Sequence, residues 1–236
     1  MPRLEWDKVN EKFYETGVSN GVVYPVNPDA TSQATTYPKG YAWNGLTKVS
    51  ENPSGGDETK LYANNNKYLS LRANEEFGGT IEAYTYPPEF EACDGTLEPV
   101  TGIRVHQQTR QPFGLCYKTL KGNDGKGTDY GFKLHLVYNA TCSPSGKEYN
   151  TTNESPDAIT FSWEFTTTPV EVTGYKNTSI LTIDSDEVDE DTLNDLLDIL
   201  YGTNPTTGDN PQPGTDPRLP MPNEIIEMFT PDPGTT

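Results

Sequence analysis

Alternation of apolar and polar side chains with a period of two is the feature that most constrains this fold. In segment 158–166, Ile159, Phe161, Trp163 and Phe165 are apolar and the intervening residues are polar or charged. This alternation is typical of a β-strand with one face buried and one face in water. We therefore predict a strand here and expect Phe161, Trp163 and Phe165 to lie in the core.

The same period recurs along the chain, so the fold is predicted to be mainly β. Further strands are predicted over 22–26, 41–49, 67–72, 80–86, 113–118, 132–138 and 179–183. They are one-sided and are separated by Gly, Pro and Asn turns, which favours an antiparallel β-sandwich or barrel. Other elements are few: an N-terminal helix around 9–14 and a turn near 89–93.

One amphipathic helix is predicted over 192–201, because its leucines follow the spacing i, i+3, i+4, i+7. They are Leu193, Leu196, Leu197 and Leu200. The acidic run 184–191 suits the positive end of the helix dipole, and Gly202 is placed to end the helix. We expect 184–202 to pack as a flanking helix on the β domain formed by 1–183.

Two segments lack the pattern of a packed element. Segment 50–59 has no large apolar residue and is predicted to be a long exposed loop or a hairpin tip. Segment 203–236 is a Pro-rich acidic C-terminal arm, whose first part, 203–222, is predicted to be an extended linker. The arm ends in an apolar cluster that we predict to dock, either on its own domain or on a neighbour: Ile225, Ile226, Met228 and Phe229.

Charge excludes one class of function. The chain has 236 residues, with 35 acids, 17 bases and a formal net charge of -18, whereas a nucleic-acid binder neutralises phosphates with Lys and Arg. The acids are concentrated at the end: 184–236 holds 13 acids and one base, Arg218. No apolar run has the roughly 18 residues of a membrane helix. The charged N-terminus lacks the pattern of a secretory signal, so we expect a cytoplasmic chain with unpaired thiols.

Residues for catalysis or metal binding are scarce. The two histidines, His106 and His135, have no Ser or Cys nucleophile signature beside them, and no Cys-x-x-Cys pair is present. We predict no catalytic, cofactor or metal site and no enzymatic activity. Two alternatives stay open: a carbohydrate-binding or adhesive β-sandwich, favoured by 14 Tyr and 3 Trp, and a hydrolase that uses surface carboxylates.

Six stretches, in order along 1–183, resemble the major tail protein, or tail tube protein, of long-tailed non-contractile phages that infect Gram-positive bacteria. They are 43–46, 61–68, 79–87, 90–95, 111–119 and 130–139. The resemblance implies a tail-tube-type sandwich or barrel in a structural virion protein. Six copies would form a ring, and stacked rings would form the tube through which DNA is ejected. The acidic helix and the arm lie outside the resemblance.

The resemblance also implies partners and contact residues. The partners would be further copies of the chain, the tape-measure protein, the tail terminator and the distal tail or baseplate proteins, with assembly in the host cytoplasm. Double-stranded DNA would pass without being bound, and no membrane would be involved. The hairpin 48–66 is the candidate contact between rings, through Lys48, Glu51, Asp57, Glu58, Lys60 and Asn64. Glu82 is the candidate acid facing the lumen.

Overall fold

The computed structural model describes residues 3–32, 36–152, 154, 157–207 and 212–231. Over these ranges the chain is mainly β, with one eight-stranded antiparallel sheet, three two-stranded ribbons, two α-helices and a 3-10 helix at Pro88–Phe90. The strands are β1 Phe13–Pro25, β2 Tyr41–Ala42, β3 Leu46–Glu51, β4 Ser54–Gly55, β5 Glu58–Ala63, β6 Asn66–Arg72, β7 Glu75–Glu76, β8 Gly78–Ala83, β9 Leu97–Val100, β10 Ile103–Val105, β11 Phe113–Asn123, β12 Gly127–Cys142, β13 Phe161–Thr167 and β14 Ile180–Asp184. The helices are α1 Glu190–Tyr201 and α2 Pro222–Phe229.

The large sheet curves into an open barrel, whose end strands β2 and β3 are joined by a short segment but do not pair with each other. Its strand order is β2-β1-β11-β12-β13-β8-β3, with β14 paired to β12. The closing segment runs from β2, which pairs with β1, to β3, which pairs with β8. Between them Trp43 N donates to Gly21 O at 2.7 Å, and the chain turns at Gly45, whose φ is 72°. The single strand predicted over 41–49 is therefore wrong, because a corner at Gly45 divides it.

The barrel interior is filled mainly by aromatic side chains. Trp163 and Phe90 are fully buried with ring centroids 5.4 Å apart, and Trp43 lies 4.5 Å from Phe90. Edge-to-face contacts of this kind add to the energy of burial. Phe165 is buried beside them, and Phe161 is partly buried. The predicted alternation is thus confirmed for the strand, although β13 begins at Phe161 and Ile159 lies outside it.

A second apolar layer covers the opposite face of β1, β11, β12 and β14. Helix α1 and the C-terminal arm supply most of this cover through Leu193, Leu196, Leu200, Leu219, Met221 and Ile225. Two buried tyrosines tie the layers together: Tyr24 OH donates to Leu200 O at 2.7 Å, and Tyr138 OH donates to Pro220 O at 3.1 Å. Where α1 and the C-terminal arm cover it, the sheet is consequently packed on both faces.

Helix α1 confirms the helix predicted over 192–201 and begins slightly earlier, at Glu190. Asp189 is its N-cap, with the carboxylate accepting from Thr192 N at 2.9 Å. That contact satisfies one of the backbone donors left free in the first turn of a helix. Gly202, with a φ of 74°, follows the last turn.

The described part of the C-terminal arm lies along its own barrel. Thr203 and Thr215 form an isolated bridge, and Arg218 N donates to Ile199 O of α1 at 2.9 Å. Helix α2 begins with Pro222. Proline suits the first helical position, because a backbone N–H at that position would have no acceptor within the helix. The Arg218 guanidinium forms a two-pronged ion pair with Glu224.

Two local predictions are wrong. No helix forms around 9–14: Asp7 and Asn10 have positive φ values of 54° and 68°, and the chain then enters β1 at Phe13, which pairs with Asn123. Segment 50–59 is exposed but is the stem of a hairpin rather than its tip, since it contains β4 and the start of β5.

Three further properties concern the described residues. Cys93, Cys116 and Cys142 are free and buried. Within the described ranges, no helix has the length and apolar character needed to cross a membrane. No group of three or more His, Cys, Asp or Glu side chains in those ranges is arranged to hold a metal ion.

Candidate functional site

The most exposed regular element is the ribbon formed by β5 and β6. All of β5 is exposed, and in β6 only Ser70 is partly buried. The strands pair with each other and with no other described strand. The ribbon nevertheless carries five large apolar or aromatic side chains in contact with solvent: Leu61, Tyr62, Tyr68, Leu69 and Leu71.

Turn chemistry and one ion-pair cluster hold this ribbon in shape. Asn64 and Asn65 at the tip have φ values of 51° and 62°, as a tight hairpin turn with two left-handed residues requires. On the stem, the Glu58 carboxylate lies 2.8 Å from Lys67 Nζ and 3.9 Å from Lys60 Nζ. The hydrogen bond from Lys67 lowers the pKa of Glu58.

The six candidate ring-contact residues occupy three different places. Lys48 and Glu51 belong to barrel strand β3. Asp57 lies at the base of the ribbon, where its carbonyl oxygen accepts from Ala73 N at 3.0 Å. The remaining three lie on the ribbon itself: Glu58, Lys60 and Asn64.

Glu82 lies on the polar outer face of β8. The neighbouring positions Ile81 and Ala83 are buried in the barrel, so the alternation directs Glu82 outwards. Its register partners are Ser162 on β13 and Lys48 on β3, and Lys48 Nζ lies 3.0 Å from its carboxylate. This acid is therefore partly neutralised by a cation of its own chain.

The four residues of the candidate docking cluster lie on α2, against the same chain. Ile225 is 2% exposed and belongs to the second apolar layer. Met228 and Phe229 are partly buried against that layer, and Ile226 is partly buried as well.

A polar network at one end of the barrel interior was not predicted. Tyr117 OH donates to Glu51 Oε1 at 2.5 Å, and His135 Nδ1 lies 3.3 Å from the same oxygen. His135 Nε2 lies 2.9 Å from Thr119 Oγ1. Burial lowers the pKa of His135, while the Glu51 carboxylate opposes that shift; burial also raises the pKa of Tyr117. The protonated phenol of Tyr117 links β11 to β3, and the neutral imidazole of His135 links β12 to β11.

The buried thiols are unsuited to nucleophilic chemistry. Burial raises the pKa of Cys93 and of Cys116 to about 12 and also raises that of Cys142. Because the thiolate is the reactive form, such thiols are inert near neutral pH. They act as small apolar residues of the core.

A second exposed ribbon, β9–β10, was missed in the sequence. It presents Leu97, Val100, Ile103 and Val105 to solvent around a turn at Gly102, whose φ is 85°. The signal was a short apolar alternation on either side of Thr101-Gly102. Both exposed surfaces of interest are therefore two-stranded ribbons with apolar side chains.

Comparison with known proteins gives structural neighbours only. A scan of family models finds no match, and no curated protein sequence matches. The sheath-tube complex of an extracellular contractile injection system (PVC), in its extended state, is 12% identical, with 70% of this chain and 88% of that chain covered and a TM-score of 0.34.

Two further neighbours belong to the same kind of assembly. The sheath/tube terminator of the PVC system is 10% identical, with 77% and 99% of the two chains covered and a TM-score of 0.34. The baseplate of the anti-feeding prophage (AFP) is 9% identical, with 76% and 97% covered and a TM-score of 0.35. These identities and TM-scores indicate only a distant structural likeness.

Proposed function

We propose that this chain is a structural, non-catalytic virion protein whose copies form hexameric rings stacked into a phage tail tube. Two independent features support the proposal. Six stretches in order along 1–183 resemble tail tube proteins of long-tailed, non-contractile phages of Gram-positive bacteria. The surfaces of the barrel also suit self-association.

The β5–β6 ribbon is the observation that carries the proposal. An isolated two-stranded ribbon is marginally stable in water, and exposed apolar patches mark interaction sites. Tyr62 and Tyr68 are 68% and 75% exposed, so the ribbon lacks a packing partner within the described chain. A contact with the next ring would bury these side chains, with Asp57, Glu58, Lys60 and Asn64 at its polar rim.

Free strand edges supply a means of closing a ring. No described strand pairs with the outer edge of β3 or of β14, and residues 13–20 of β1 pair only with β11. Unpaired N–H and C=O groups at such edges pair readily with another chain. Edge pairing between copies would extend the sheet around a closed symmetric ring.

Glu82 is our proposed lumen-facing acid, with DNA passing the wall without being held. The net charge of -18 is screened over about 8–10 Å at physiological salt, so only acids at the wall repel the duplex. Glu82 on β8 and Glu164 on β13 lie on the polar outer face of two adjacent strands, and Lys48 offsets part of the charge of Glu82. A tube structure with a basic lumen would overturn this assignment.

The tube would also contact the other components of a tail. By resemblance, these are the tape-measure protein, the tail terminator and the distal tail or baseplate proteins. The assembled protein would be located in the virion, after assembly in the host cytoplasm.

The test is electron microscopy and sedimentation of the purified protein. We expect rings or tubes from the wild type and smaller species from a Tyr62→Ser/Tyr68→Ser variant. Tyr175→Ser is the matched control, because Tyr175 is 74% exposed but lies outside the ribbon. Loss of assembly in the control, or normal tubes from the ribbon variant, would contradict a ring contact through the ribbon.

An adhesive β-sandwich is the second candidate, favoured by the same exposed tyrosines. Aromatic faces stack readily on apolar ligand surfaces, and Tyr62 and Tyr68 of the ribbon are both largely exposed. A protein that stays strictly monomeric and binds glycans on an array through these residues would replace the tube proposal.

A further inference from the structure

A basic pocket opens between the β9–β10 ribbon and segment 144–149, in a chain that is otherwise acidic. Its volume is about 790 Å³, and it is open to solvent. Three of its lining side chains are cationic: Arg104, Arg110 and Lys147. With only 17 bases in 236 residues, their convergence on one concavity is a distinctive feature of this surface.

Arg110 is the member of this pocket without an internal partner. Lys147 Nζ lies 2.8 Å from the Asp94 carboxylate, and Arg104 Nε lies 2.6 Å from the Glu91 carboxylate. Arg110 forms no ion pair with any residue in the described ranges, and its buried Nε has no hydrogen-bond partner there. Leaving a buried donor unsatisfied is unfavourable, and a guanidinium is best satisfied by a carboxylate. The pocket therefore suits a carboxylate brought from outside.

The exposed face of α1 carries an acidic stripe, whose carboxylates lack cationic partners in the described part of the chain. Asp191, Asp195 and Asp198 are spaced i, i+4, i+7 and face solvent, opposite the buried leucines of the helix. No ion pair with these three aspartates is formed by the described residues. Like charges at this spacing repel, and Asp198 also lies near the negative end of the helix dipole. The stripe is unfavourable in an isolated copy.

The stripe and the pocket do not meet within one copy. The pocket is lined by residues between Tyr86 and Tyr149, and α1 contributes nothing to it. Beside the pocket, Leu97 and Ile103 of the β9–β10 ribbon are 50% and 58% exposed. An apolar rim excludes water around a charged contact and thereby strengthens it.

We propose that the basic pocket receives carboxylates of the acidic stripe on α1 of a second copy of this chain. The inference rests on the proposed function, because it supplies a contact between copies in a ring. One surface of each copy meets a different surface of the next, and such a head-to-tail contact generates a ring when its rotation closes. The partner is identified by its charge: the stripe offers several carboxylates on one rigid helix face.

Charge reversal with mixing tests this contact. Arg110→Glu reverses the pocket and Asp195→Lys/Asp198→Lys reverses the stripe. Asp157→Lys/Glu171→Lys is the matched control, with the same charge change at exposed positions outside α1. Arg110→Gln, which removes the charge without reversing it, serves if Arg110→Glu does not fold, as judged by circular dichroism and thermal unfolding.

Sedimentation velocity and electron microscopy are the measurements. We expect each reversal alone to weaken self-association about tenfold or more, equivalent to about 1.4 kcal/mol. An equimolar mixture of the two reversed variants should restore association, because reversed pockets then meet reversed stripes. Wild-type association should weaken as salt is raised, and the control should behave like the wild type.

The outcomes distinguish a failure of this contact from a failure of the proposed tail-tube function. Tubes of normal appearance from both reversed variants, or no restoration on mixing, overturn the inference and leave the tube proposal standing. A wild type that stays monomeric up to its solubility limit overturns both.

Discussion

His135 is a single residue whose packing is expected to affect the stability of the barrel. It stacks on Tyr117 with ring centroids 4.6 Å apart, and its side chain is 12% exposed. Its Nε2 bonds to Thr119 Oγ1, and its Nδ1 lies 3.3 Å from the Glu51 carboxylate without forming a hydrogen bond. Because Glu51 ends β3 and accepts from Tyr117 OH, the Tyr117–His135 pair lies where the last strand of the barrel meets the β11–β12 hairpin.

Stability should fall on mild acidification because of this histidine. Burial lowers the pKa of His135 in the folded state, against about 6.5 in an unfolded chain. Below that value the unfolded chain takes up a proton that the folded chain does not, so the free energy of unfolding decreases until the lowered pKa is passed. We expect urea midpoints to decrease from pH 7.5 to 5.5, and to decrease less in His135→Gln.

His106→Gln is the control for this measurement, because His106 lies outside the Glu51 network and bonds to Thr96 instead. A His135→Gln variant with the same pH dependence as the wild type would show that His135 does not cause the loss.

At the scale of single elements, the N-terminus of α1 offers a defined test. Asp189→Ala removes the carboxylate that accepts from both Thr192 N and Thr192 Oγ1, each at 2.9 Å. Removing such a cap costs about 0.5–2 kcal/mol. We expect that decrease in the free energy of unfolding, measured by urea denaturation at protein concentrations where the chain is monomeric.

Asp198→Ala is the matched comparison on the same helix. Asp198 is exposed near the C-terminal end, where an acid is unfavourable for the helix dipole. Its removal should leave stability unchanged or raise it by a few tenths of a kcal/mol, within the range of surface charge effects. A decrease like that of Asp189→Ala would argue against the cap as the cause.

The C-terminal arm is the element whose removal should matter most. Truncation after Gly202 removes Leu219, Met221 and Ile225, all buried against the sheet. Each such side chain contributes roughly 1.5–3 kcal/mol by burial. We expect the truncated chain to unfold at much lower urea concentration or to aggregate on expression. An intact melting transition after truncation would show that the arm contributes little.

Strands and helices could be predicted from the sequence where one face is buried and the other is exposed. The prediction failed where a segment has no such pattern. Trp163 and Phe165 alternate with polar residues, so their strand was evident, and the leucines of α1 gave its helix. The first half of β1 has no buried face, since Phe13 and Tyr14 are both exposed, and no alternation marked it. Helix α2 was not predicted, because its first residue, Pro222, is also the last proline of the predicted linker, although Pro suits a first helical turn.

At the scale of the whole molecule, the charge distribution leads to a prediction about DNA. The net charge of -18 leaves few cations free, and Lys121 and Lys133 are already paired with acids of their own chain. Because binding to duplex DNA depends on neutralising phosphates, we expect no binding at about 0.15 M salt. Fluorescence anisotropy with a labelled duplex is the measurement, and binding that weakens as salt is raised would contradict the expectation.

The candidate sites, like the elements, could be predicted only in part from the sequence. The β5–β6 ribbon begins within the hairpin 48–66 expected from the resemblance and extends beyond it to Arg72. The division of this region into barrel strand β3 and a projecting ribbon was not visible in the sequence. The basic pocket was invisible because Arg104, Arg110 and Lys147 come from separate segments. Each is an ordinary surface cation in the sequence, and only the fold brings them together.

The cover supplied by the C-terminal arm has a consequence for the chain during its synthesis. A ribosome makes β1, β11 and β12 before Leu219, Met221 and Ile225, which lie over one face of those strands. Until the arm emerges, the nascent sheet has an apolar face without its full cover. Exposed apolar faces and free strand edges are prone to aggregation. A newly made copy should therefore be most prone to aggregation before its C-terminal arm has left the ribosome and covered this face.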